Sequence, residues 1–178
     1  MSVGNWNVHL SVSGMPETVA TAFSDITNQL IGAEYTPIAY LGSQLVHGTN
    51  HAILAEQLLT TGKDVKNVVL MILNELDGRF TIVGIERILS SGGELGGTEV
   101  DVKTEIPEVA TKVLKDAMGG FVGASIKPFA LLGTQVVKGT NYIFAAEVET
   151  VTKDSTPKIA IVKANDELKI IASISDIL

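Results

Sequence analysis

His47 and His51 stand four residues apart, a spacing that on a helix would offer two imidazoles to one metal ion. Here they flank Gly48-Thr49-Asn50, so they read as the two sides of a hairpin turn, and no metal site is expected. Glu56 and Glu147 occupy equivalent places inside apolar runs. A catalytic carboxylate is one reading of them; an edge or solvent-facing glutamate is the preferred one. The glycines between 92 and 97 lack the strand-to-helix setting and the Lys-Ser/Thr of a phosphate loop. The chain has no cysteine, which removes a thiolate nucleophile, a Cys-based zinc site and a disulfide framework. No Ser-His-Asp grouping recurs. Neither an enzyme nor a cofactor is expected.

The remaining chemistry is that of binding, and it lies in a segment the chain writes twice. Leu41-Gly42-Ser43-Gln44-Leu45-Val46-His47-Gly48-Thr49-Asn50 returns as Leu132-Gly133-Thr134-Gln135-Val136-Val137-Lys138-Gly139-Thr140-Asn141. The offset is 135 − 44 = 91 residues, and it also relates Pro16-Glu17 to Pro107-Glu108, Gly32 to Gly123, Pro37 to Pro128 and Ala55-Glu56 to Ala146-Glu147. A period this long marks a duplicated domain; solenoid repeats run to about 20–50 residues. The duplication also supplies an internal control, since a residue kept in both copies meets a requirement that both copies share.

The elements that must position this segment follow from periodicity. Each copy opens with a short strand, Trp6 to Val12 or Thr98 to Lys103. A helix follows, near 16–31 and 107–122. Pro16 and Pro107 suit its first turn, and Glu17 and Glu108 favour its N-terminus electrostatically. Val19, Phe23, Ile26 and Leu30 form an apolar stripe that Ala110, Leu114, Ala117 and Phe121 repeat, with Gly32 and Gly123 where a helix would stop. Four strands then form two hairpins per copy: 35–46 with 49–59 and 68–74 with 79–89, then 129–137 with 140–150 and 158–164 with 168–178. Their turns hold Gly48 and Gly139, and Asp77-Gly78 and Asn165-Asp166. The fold class is therefore α+β: residues 1–89 form one domain, 90–97 a Gly/Ser-rich linker, and 98–178 a second domain. In each, one amphipathic helix should lie on an antiparallel sheet.

Gln44-Leu45-Val46-His47-Gly48 and Gln135-Val136-Val137-Lys138-Gly139 both match Gln-x-Val-x-Gly. Together with the element order, this resembles the cystatin superfamily of cysteine-protease inhibitors, and Gln135 to Tyr142 resembles its stefin branch. The resemblance covers nearly the whole of each copy and implies two tandem cystatin-like domains. It implies a reversible, tight-binding inhibitor whose first hairpin wedges into the cleft of a papain-like cysteine protease. The residues so implied are Gln44, Leu45, Val46, His47 and Gly48, and Gln135, Val136, Val137, Lys138 and Gly139, with Gly4 as the N-terminal trunk of copy one. Gly96 and Gly97 hold the trunk's place in copy two. The second hairpins depart from the family's Pro-Trp: Leu76-Asp77-Gly78-Arg79 and Asn165-Asp166-Glu167-Leu168 carry no aromatic residue. The alternative is a non-inhibitory protein-binding or structural module on the same fold. Gly48 and Gly139 are expected at exposed turns.

The net charge of −7 and the lack of a Lys/Arg run argue against nucleic acid as a partner. No apolar run reaches the ~20 residues that span a bilayer, and the N-terminus shows no basic region followed by an apolar stretch. A soluble, cytoplasmic protein with no membrane partner is the expectation. Val68 to Leu73 is apolar at both parities, and Ile159 to Val162 nearly so. Such strands call for cover on both faces, in a homo-oligomer or by pairing of the two domains.

Overall fold

The structure is a computed structural model that describes residues 4–9, 14–63, 65–92 and 97–178. The chain divides into two units, Met1–Ser90 and Ser91–Leu178. Unit one contains β1 (Trp6–Val8), α1 (Glu17–Thr27), β2 (Ala33–Val46), β3 (Gly48–Leu59), β4 (Val65–Leu76) and β5 (Arg79–Ser90). Its sheet is antiparallel, in the order β1-β2-β3-β4-β5. Unit two repeats this with β6 (Thr98–Lys103), α2 (Glu108–Met118), β7 (Ala124–Val137), β8 (Gly139–Thr150), β9 (Lys158–Asn165) and β10 (Ile170–Asp176). Its order, from β6 to β10, is the same. The class is α+β, with one helix and one five-stranded antiparallel sheet per unit among the described residues.

Both helices are shorter than their apolar stripes. Pro16 and Pro107 are the N-cap residues and have extended backbones, so the helices begin one residue later. At the other end the bonding tightens to i→i+3: Gln29 N donates to Ile26 O and Leu30 N to Thr27 O, as Phe121 N does to Met118 O. The stripe continues past the last regular turn for this reason. Gly32 and Gly123 lie further on, at the entry to β2 and β7, with φ of +89° and +121°. The first strand also differs from expectation. β1 ends at Val8, and residues 10–13 lie outside the described ones.

Each unit's core lies between its helix and one sheet face. In unit one, Val19 and Phe23 pack with Ile53, Ala55, Val69, Met71 and Leu73. In unit two, Ala110, Leu114 and Ala117 pack with Phe144, Ala146, Ala160 and Val162, among others. Strand residues alternate between faces. Ala52, Leu54 and Leu70 of unit one, and Ala145, Ile159 and Ile161 of unit two, therefore occupy the face away from the helix and are apolar as well.

A shared pair of bulges shapes the second strand of each unit. Register shifts fall between Pro37 and Ala39 and between Tyr40 and Gly42, and again between Pro128 and Ala130 and between Leu131 and Gly133. Gly42 and Gly133 sit where the first strand crosses: a Cβ there would collide with the carbonyl oxygen of Asn7 or Glu99. Of the two placements expected for Glu56 and Glu147, edge or solvent-facing, the edge is ruled out. They lie on β3 and β8, the middle strands, and are half-buried. Glu147 faces Lys127 on β7 at 3.6 Å.

Candidate functional site

In both units the first hairpin turns on a single residue, His47 or Lys138, between β2 and β3 or β7 and β8. The glycine after it has φ of +88° at position 48 and +74° at 139, a region that a side chain occupies only under strain. These glycines are not the open turn positions expected from sequence. Both are half-buried because the second hairpin packs against them. A Cβ on Gly48 would collide with the carbonyl oxygen of Glu75, and one on Gly139 would lie 2.6 Å from Asp166 Oδ1 and from Glu167 Cβ.

The neighbouring residues project outward. Leu45 is 67% exposed, Val136 65% and Val137 45%, while His47 and Lys138 are exposed at the tips. Val46 is half-buried, as are Gln44 and Gln135. Gly4 comes to the same place: Gln44 Nε2 donates to Gly4 O at 2.8 Å. In unit one the N-terminal segment, the first hairpin and the second hairpin therefore meet at one end of the sheet. In unit two the first and second hairpins meet likewise, since Thr140 N donates to Asp166 Oδ1 at 2.7 Å and Asp166 N to Thr140 O at 3.1 Å. Thr98 pairs with Gln135 there. Gly97 is exposed, and Gly96 lies outside the described residues.

Two asparagines that sequence reasoning passed over tie these hairpins together. In unit one, Asn74 Nδ2 donates to Asn50 Oδ1 at 2.9 Å and to the His47 carbonyl at 3.3 Å. In unit two, Asn165 Nδ2 donates to Asn141 Oδ1 at 2.9 Å and to the Lys138 carbonyl at 3.0 Å. Each amide thus places its two hydrogens on two acceptors. The ladder runs on in unit one, where Asn50 Nδ2 donates to Gln44 Oε1 at 2.9 Å. In unit two, Lys163 Nζ reaches Gln135 Oε1 at 3.3 Å instead. The signal was present in the sequence, because 165 − 74 = 91, the offset of the repeat.

The second hairpins differ. Asp77 and Gly78 both have positive φ, +52° and +74°, which makes a tight two-residue turn. In unit two the turn is four residues, and Asn165 Oδ1 accepts from Glu167 N at 3.1 Å and Leu168 N at 2.8 Å. This side-chain turn delays β10 to Ile170, two residues after the expected start. Leu168 stands 48% exposed on it. Acidic groups flank both tips: Glu75 and Asp77 in one unit, Asp166 and Glu167 in the other.

His51 is not beside a second histidine ligand. It is buried, its Nδ1 is 2.9 Å from Tyr40 Oη, and its Nε2 is 3.2 Å from Glu75 Oε2. In the neutral imidazole tautomer with its proton on Nε2, the ring donates to the Glu75 carboxylate and Nδ1 accepts from the Tyr40 hydroxyl. Burial pushes the Tyr40 phenol up from its ordinary pKa, with Glu75 adding to the rise and a hydrogen bond to Ser43 opposing it. Unit two has Leu131, Tyr142 and Asp166 at these positions, so the relay belongs to unit one alone. No cluster of metal-ligating side chains occurs among the described residues, and no helix among them is long and apolar enough to cross a membrane.

Compared with known protein families, curated proteins and solved structures, the chain matches no family model, no curated protein and no solved structure.

Proposed function

We propose that each unit is a cystatin-like domain and that its hairpin end is a wedge for the active-site cleft of a papain-like cysteine protease. One observation carries this reading: Gly4, the Gln44–Gly48 hairpin and the second hairpin gather at one end of the unit-one sheet, with Leu45 projecting. A wedge of this kind makes and breaks no bond. It occupies the cleft with the apolar side chains that project beside its tip and keeps its own backbone out of line with the nucleophile. The protein acts by binding, and neither cofactor nor metal enters.

The acidic flanks of the tips favour one second reading, a non-inhibitory module that docks a basic protein surface through the same end. Titration of papain with the purified chain separates the two. The wedge reading expects stoichiometric, reversible loss of peptidase activity. Papain left fully active at high micromolar protein overturns it and leaves the module.

A further inference from the structure

We infer that Asn74 and Asn165 are positioning residues that lock the first hairpin of each unit onto the second, so that the binding end holds one shape before any partner arrives. The inference rests on the proposed role of the hairpin end for what the tips meet, but not for the locking itself. Three observations support it. The pair Asn74–Asn50 recurs as Asn165–Asn141, at directly opposed positions of the central ladder. In both, the same amide also holds the carbonyl of the tip residue, His47 or Lys138. Asn165 is 2% exposed and Asn141 8%, so losing the amide would leave acceptors buried without a donor. An apolar pair would serve a plain strand contact as well. The two hydrogens of one amide reach both the cross-strand partner and the tip carbonyl.

Asn165 does a second task that can be separated from the first. Its Oδ1 caps the Glu167 and Leu168 amides, while its Nδ2 holds Asn141 and the tip. Asn165→Asp keeps the acceptor and loses the donors; Asn165→Ala loses both. Hydrogen exchange of backbone amides in the full chain reads the difference. In Asn165→Asp, the Thr140 and Asp166 amides should exchange about tenfold faster or more, with Glu167 and Leu168 slowed as in the parent. In Asn165→Ala all four should exchange faster. The Phe144 and Val162 amides, in the middle of the sheet, report global opening and serve as reference. Asn74→Asp should likewise speed exchange at Asn50 relative to Met71. Tips unchanged in both variants, or every amide of a unit speeding by one factor, would overturn the inference. If parent protein leaves papain active while the variants show the local pattern, the locking stands and the protease reading falls.

Discussion

The side-chain amide of Gln44 donates to the carbonyl oxygen of Gly4 across 2.8 Å, and its own oxygen accepts from Asn50 at 2.9 Å. One glutamine of the repeated motif therefore joins the N-terminal segment to the hairpin ladder. Gln44→Ala removes both bonds at a partly solvated site. The expected cost is about 1 kcal/mol, since each such bond contributes roughly 0.5–1.5 kcal/mol net. Urea denaturation checks this, and a variant as stable as the parent would show that the bond to Gly4 exchanges freely with water.

The tip glycines should be unequal. At Gly48 an added methyl meets a backbone carbonyl, that of Glu75, which moves only with β4. At Gly139 it meets Asp166 Oδ1 and Glu167 Cβ, with the Glu167 backbone nitrogen 3.3 Å away, and these belong to a four-residue turn that can shift without moving a strand. Both carry left-handed strain. Gly48→Ala should cost about 2–3 kcal/mol and Gly139→Ala about 1–2 kcal/mol. Gly78→Ala, with nothing within 4 Å of its Cβ, should pay strain alone, about 1 kcal/mol. Denaturation midpoints of the three variants rank them, and a Gly139 variant less stable than the Gly48 variant would contradict the packing.

How far the chain could be read in advance divides along physical lines. The hairpins and their order were legible because turn glycines and apolar alternation are local signals, and duplication made each one visible twice. The helix ends were not, because Leu30 and Phe121 continue the stripe on i→i+3 turns that a periodicity count cannot tell from helix. An edge placement for Glu56 stayed open beside a solvent-facing one because strand order is a long-range property, and β3 proved to be the middle strand. Asn74 ends an expected strand and Asn165 opens an expected turn. Their work is a cross-strand bond that depends on register, which no window of sequence contains.

Alkaline pH should weaken unit one through Tyr40. Burial raises the phenol's folded-state pKa above its ordinary 10.0, so the folded form binds the proton more tightly than the unfolded chain. The corresponding stability is fully present below about pH 10 and is lost as pH rises through the folded value. The ionised phenolate would also face His51 Nδ1 without a proton to donate. Stability measured from about pH 9 to about pH 11 should fall more steeply in the parent than in Tyr40→Phe. Parallel curves would assign the alkaline loss to other groups.

The last expectation concerns what projects rather than what supports. Leu45 and Val136 occupy the same motif position in the two units and are 67% and 65% exposed, so each buries little apolar area among the described residues. Leu45→Asp and Val136→Asp should therefore shift stability by no more than about 0.5 kcal/mol each. If the tips enter a desolvated cleft, each carboxylate must be buried there without a partner, and affinity for papain through that unit should fall by about tenfold or more. The single variants apportion inhibition between the units. If the proposed stefin-like reading of Gln135–Tyr142 holds, Val136→Asp should weaken papain inhibition more than Leu45→Asp does. Unit one holds Gly4 against Gln44 beside its hairpin, so Leu45→Asp should still show a measurable loss. A double variant that keeps the parent's denaturation midpoint and its full inhibition would place the contact surface elsewhere on the molecule, and the hairpin end would then have to be read as structure alone.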